Sequence, residues 1–103
     1  MTAFDHVISV VPKNSKTWTL MGLSMSGAGD LRGARGAFEK AVRFDSNNVI
    51  AHGELGQTEA KMGDKARAQS ELDWLKKRAD ACAGTCKESG DLKSEIAKLQ
   101  GAL

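Results

Sequence analysis

Residues 15–48 read SKTWTLMGLSMSGAGDLRGARGAFEKAVRFDSNN, and residues 49–82 read VIAHGELGQTEAKMGDKARAQSELDWLKKRADAC. Laid one over the other, they bring like residues into register 34 positions apart. Trp18 falls on His52, Met21 on Leu55, Gly22 on Gly56 and Gly29-Asp30 on Gly63-Asp64. Ala34 then falls on Ala68, Phe38 on Leu72 and Ala41 on Leu75. Self-similarity at a period of this length marks a stack of supersecondary units, each too small to bury its own apolar face.

Within each unit the local chemistry is helical. Met21, Met25, Ala34, Phe38, Ala41 and Val42 recur at three- and four-residue steps and so form apolar stripes. Gly29 and Gly63 stand where a helix must end and the chain reverse, and each predicts a residue with positive φ. Asp30 and Asp64 follow as N-caps, accepting from free N–H groups of the next helix. Gly22, Gly56, Ala34 and Ala68 are small residues placed where two helices approach closely. The pattern predicts helices near 3–11, 15–28, 31–45, 49–62, 65–80 and 90–101.

The spaced Trp18, Met21-Gly22, Gly29-Asp30, Ala34, Phe38 and Ala41, with Asp45-Ser46 where Asp-Pro is usual, resemble the tetratricopeptide repeat (TPR). Residues 15–48 and 49–82 would then be two repeats, His52 replacing the Trp of the second and Leu75 its second Ala. Residues 1–14 fit the second helix of a repeat whose first helix is missing. Phe4 aligns with Phe38, Val7 with Ala41, and Pro12 takes the repeat-ending position. Residues 83–103 would form a cysteine loop and a capping helix. The resemblance implies an all-α, antiparallel helix-pair solenoid, a TPR superhelix closed by that C-terminal helix. The cap carries the stripe Leu92, Ile96 and Leu99, with Ser89 or Asp91 as its N-cap. Lys93, Glu95, Lys98 and Gln100 are expected on its solvent face.

Composition narrows the function classes. Fifteen Lys and Arg against thirteen Asp and Glu leave a net charge of only +2, without the clustered basic face that nucleic acid or an anionic membrane needs. The densest cluster, Lys76-Lys77-Arg78, sits late in an expected helix, where cations suit its carbonyl end. No apolar run approaches the roughly 20 residues of a membrane span. The N-terminus shows no charged segment followed by an apolar core of the kind a secretory signal carries. His6 and His52 lie apart from each other, and no Asp or Glu stands near either in a triad-like pattern. Gly27-Ala28-Gly29-Asp30 is explained by the repeat turn rather than by a phosphate loop. No nucleophile is paired with a base, so no catalytic residues, cofactor or metal are expected.

Cys82 and Cys86 are the only cysteines, spaced C-x-x-x-C. Four readings remain open for them: a small disulfide clamping the cap helix, reduced structural thiols, half of a metal site, or thiol redox chemistry. Covalent haem would need C-x-x-C-H, and Lys87 follows Cys86. The Leu72–Leu75 run, the Cys82/Cys86 element and Asp91-Leu92-Lys93 together resemble the end of small, often exported, bacterial TPR proteins. Ala83-Gly84-Thr85 and Lys87 differ from the bulkier and acidic residues of that group. This resemblance implies a periplasmic or exported setting, with the cytoplasm as the alternative.

In TPR proteins the first helix of each repeat lines the concave, ligand-bearing face. Carried over by position, that face comprises Lys16, Thr19, Leu20, Leu23, Ser26 and Gly27, then Ile50, Gly53, Glu54, Gln57, Ala60 and Lys61. The Lys and Asn of repeats that clamp a chaperone's C-terminal carboxylate are replaced here by Thr19 and Leu23. The expected site is an apolar patch, Leu20 and Leu23, flanked by Lys16, Thr19, Gln57 and Lys61, which takes a peptide or helix of a partner protein. Packing of the same leucines against a missing upstream helix is the competing reading. Trp18 is expected in the core. Trp74 falls between the apolar positions of its helix and is a further partner-binding candidate. Two other functions are carried alongside: a thiol- or metal-handling protein using Cys82 and Cys86, and a self-assembling module. The second would form a homodimer through an open N-terminal end of Phe4, Val7 and Trp18.

Overall fold

The computed structural model describes residues 14–82 and 86–103, and all of their regular structure is α-helical. The helices are α1 (Ser15–Gly27), α2 (Leu31–Phe44), α3 (Val49–Lys61), α4 (Lys65–Cys82) and α5 (Ser89–Ala102). Five of the six expected helices are therefore present. The expected helix near 3–11, with Phe4, Val7 and Pro12, lies outside the described residues.

The chain reverses at the same chemistry twice. Gly29 and Gly63 both have φ of 86°, a left-handed backbone that an L side chain rarely adopts. At each turn the Asp N–H bonds back to a carbonyl five residues earlier, Asp30 to Met25 at 2.9 Å and Asp64 to Glu59 at 2.8 Å. The Asp side chains then cap the next helix, Asp30 accepting from Gly33 N–H and Asp64 from Arg67 N–H. Asn14 and Asn48, also 34 residues apart, cap α1 and α3 in the same way. Cap and turn thus repeat with the same period as the sequence.

Residues nearly equidistant from each turn touch, so α1–α2 and α3–α4 are antiparallel hairpins. A Cβ on Gly22 would lie 2.5 Å from the ring of Phe38, and one on Gly56 would lie 3.0 Å from Cβ of Glu71. Trp18, Ala37, Ala41 and Ala51 pack together, as do Ala34, Phe38 and Leu55, so α3 closes the core of the first hairpin. A third cluster of Val49, Ala68, Leu72, Leu75, Leu92 and Leu99 joins α5 to the second hairpin. Each unit thus buries its apolar face on the next.

Several details differ from expectation. Trp18 is buried, as its core reading expects and contrary to the exposed end of the self-assembling reading, with the ammonium of Lys40 4.8 Å from its ring centroid. Helix α4 continues past residue 80 to Cys82. Neither Ser89 nor Asp91 caps α5; its N-cap is Glu88, which makes no side-chain cap bond. Glu95 is not on the solvent face. It is 4% exposed and turned inward, over Gly53. A polar residue on a polar-looking stretch is read as outward by periodicity, but the bare backbone at Gly53 leaves room for it.

Candidate functional site

The expected binding residues separate into three places. Lys16, Thr19, Leu20 and Leu23 of α1 come together with Asn48 and Ile50 at the start of α3, lining an open groove of about 340 Å³. Leu20 is 58%, Leu23 39% and Ile50 37% exposed, so three aliphatic side chains stand bare along one groove.

The groove floor is polar and fully tied down. Ser15 Oγ donates to the Ala41 carbonyl at 2.6 Å, and Thr19 Oγ1 donates to the Ser15 carbonyl at 2.9 Å. Asn48 Nδ2 donates to both hydroxyl oxygens, at 2.9 and 3.0 Å, while its Oδ1 caps α3 by accepting from Ala51 N–H. These bonds fix the first turn of α3 to α1 and so hold Ile50 beside the two leucines. Thr19 is therefore 6% exposed and supports the groove from below. Sequence reasoning missed Asn48. Its one signal is a cap-type residue directly before an apolar run, which reports a helix start and says nothing of a partner 29 residues away.

Gln57 is not in the groove. Its amide nitrogen donates to Glu54 Oε2 at 3.0 Å and Glu95 Oε1 at 3.3 Å, inside the seam between α3 and α5. Lys61 is exposed in the last turn of α3 and does not line the groove either. The cap helix lies over the face of α3 that corresponds to the open face of α1.

Trp74 stands on yet another face. It is half-buried and stacks on His52, ring centroids 3.7 Å apart and planes 17° from parallel. His52 is 7% exposed and does have a carboxylate partner, contrary to the sequence reading. Its Nδ1 lies 2.6 Å from Glu71 Oε1, and its Nε2 lies 2.8 Å from the Ser46 carbonyl. Glu71 is 19 residues away and reaches His52 only because the hairpin folds back. Arg78 approaches the other side of Trp74 at 5.8 Å and pairs with Glu88 at 3.0 Å. Both ring nitrogens of His52 are engaged inside the fold, so the cluster joins α3 to α4 and offers no nitrogen to a ligand.

Two carboxyls have strongly shifted protonation. Burial, then the charges of Glu71 and Asp64, push Glu59 up to about 7, and its Oε1 makes no hydrogen bond. Burial, then Glu54, push Glu95 up to about 7, with Lys98 opposing. Both groups are inside the helix stack rather than in the groove.

Cys82 and Cys86 sit at disulfide distance, with Cα atoms 5.3 Å apart, and Cys86 N–H donates to Cys82 Sγ at 3.2 Å. Both pack against the α4–α5 core cluster. Of the four readings, the geometry is that of a clamp between the end of α4 and the start of α5. Ala83-Gly84-Thr85 lie outside the described residues. Among the described residues no three His, Cys, Asp or Glu side chains converge as metal ligands. No helix among them is long and apolar enough to cross a membrane.

Searches against protein-family models, curated proteins and solved structures find no match to this chain. Its reading therefore rests on its own repeats and geometry.

Proposed function

We propose that this chain is part of a TPR-type helix-pair solenoid that binds a short segment of a partner protein in the α1–α3 groove. The observation that carries this reading is the groove itself. Leu20, Leu23 and Ile50 stand open to solvent over a floor held rigid by Ser15, Thr19 and Asn48. A preformed apolar surface on a fixed scaffold spends little ordering entropy when a ligand arrives. Lys16 at the edge selects a segment that places a carboxylate beside a bulky apolar side chain. A footprint this small suits a weak, reversible contact, with Kd on the order of micromolar. The 34-residue recurrence of caps, turns and close-packed glycines supports the TPR assignment. The binding reading is supported by the histidine–carboxylate pair of the described residues, His52–Glu71, which is consumed in packing.

The Cys82–Cys86 pair supports a setting that keeps disulfides oxidised, such as a periplasm or the cell exterior. It serves as a clamp on the cap helix there.

Selection of a displayed peptide library on this chain, followed by chemical-shift mapping, tests the groove. Selected peptides are expected to combine a bulky aliphatic or aromatic residue with Asp or Glu. Shifts should concentrate at residues 16–23 and 48–50, and Leu20→Lys with Leu23→Lys should weaken binding at least tenfold. Peptides that bind the double variant unchanged would overturn the assignment.

A further inference from the structure

The seam between α3 and α5 is built around a charge imbalance. Glu54 of α3 and Glu95 of α5 both point at the amide nitrogen of Gln57. The same two carboxylates share one cation, Lys98, whose Nζ lies 3.4 Å from Glu95 and 3.6 Å from Glu54. Two anions thus face one lysine, which is half exposed and screened by solvent. Helix α4, the other neighbour of α5, brings Arg78, which is occupied by Glu88, and Glu71, which is occupied by His52.

Glu95 is almost wholly buried, and its helix cannot come closer to α3. A Cβ placed on Gly53 would lie only 2.6 Å from Cβ of Glu95, so the two backbones are already at closest approach. Leu99 seals the next turn over Gly56 in the same way. Protonated Glu95 donates to the neighbouring Glu54 carboxylate inside this seam. Ionised Glu95 has beside it only one shared amide, one solvent-screened cation and a second carboxylate, a poor setting for its charge until α5 lifts.

We infer that α5 is a proton-controlled cover over the second hairpin's share of the concave face, seated while Glu95, faced by Glu54 across the seam, keeps its proton and released when it ionises. Lifting α5 bares Gly53, Gly56 and Gln57 beside the α1–α3 groove and lengthens the apolar surface offered to a partner. The cover works whether or not the groove binds the proposed segment.

Hydrogen exchange of the whole chain, corrected for intrinsic rates and followed from pH 5.5 to 8.5, tests it. Opening of residues 89–102 should grow about tenfold or more across that range beyond any change in residues 15–44, which report the global stability that Glu59 also lowers. Glu95→Gln, which mimics the protonated acid, should hold α5 closed at every pH. Should that variant misfold, Glu54→Gln must still blunt the response by removing one of the two anions. Glu59→Gln should leave the response intact, since Glu59 titrates against Glu71, Asp64 and Glu39 on another face of α3. A flat profile in the natural chain, an undiminished response in Glu95→Gln, or its loss in Glu59→Gln overturns the proposal. Leu20→Lys with Leu23→Lys should not alter it, so failure of the groove and failure of the cover are separable.

Discussion

The two hairpins share turns, caps and register, yet they solve the same packing problems with different residues. In α1–α2 the bare backbone at Gly22 is filled by Phe38 from the same hairpin. In α3–α4 the equivalent Leu72 is smaller, and the gap over Gly56 is filled by Leu99 from α5. The first hairpin also lays a cation over an aromatic ring, Lys40 on Trp18. The second exchanges the partners, with Trp74, at the position of Lys40, stacked on His52, at the position of Trp18. Glu71, standing where the first hairpin has Ala37, gives the imidazole its carboxylate. The contrast is sharpest on the face of α1 and α3 that lines the groove. Thr19 and Leu23 leave α1 open, whereas Gly53 and Gln57 receive α5. One backbone thus carries an open groove and a covered one, and the difference lies in side chains at equivalent positions.

The largest effect should come from uncovering the second hairpin. Leu99→Ala removes the side chain that seals Gly56, and should cost about 3 kcal/mol in chemical denaturation. The loss should appear first as exchange in α5. If α1–α2 opens equally early, the two hairpins do not differ as described.

The second test is the proton balance at Glu59. The folded chain holds this proton more tightly than the unfolded chain, so stability is greatest below the ordinary value of 4.5 and is lost as pH rises through about 7. Glu59 should contribute a loss on the order of 2 kcal/mol between pH 5 and pH 8 in denaturation, and Glu59→Gln should reduce the slope to the share that Glu95 leaves. An unchanged slope in the variant would show that Glu59 is ionised or solvated in the fold.

A smaller effect tests the exchanged ring pair. His52→Trp makes the second hairpin resemble the first but leaves Glu71 without its partner. Adding Glu71→Ala should recover about 1 kcal/mol, so the two substitutions are coupled in a double-mutant cycle. Strict additivity would mean that the short Nδ1–Glu71 contact contributes little to holding α3 against α4.

Much of this architecture was legible in the residues. The positive-φ glycines, the Asp caps and the small residues at 22, 34, 56 and 68 are local or repeating signals, and each falls where the period places it. The groove was legible only in half. Lys16, Leu20, Leu23, Gln57 and Lys61 are all grouped by repeat position, and only the first three share the groove. Position assigns a face and cannot show what covers it. Trp74 was offered to a partner because its helix pattern leaves it off the apolar stripe, and His52, its actual neighbour, belongs to another helix.

The sequence by itself determined the helices, their reversals and the order in which they stack, because capping, turn geometry and apolar periodicity act within a few residues. Only the tertiary structure decided which helix face stays open and which protons are held inside. Asn48 meeting Thr19, Glu71 meeting His52 and Glu95 settling over Gly53 are contacts between residues 19 to 42 apart. Their burial and electrostatics come from helices brought together by folding, and no local pattern encodes them.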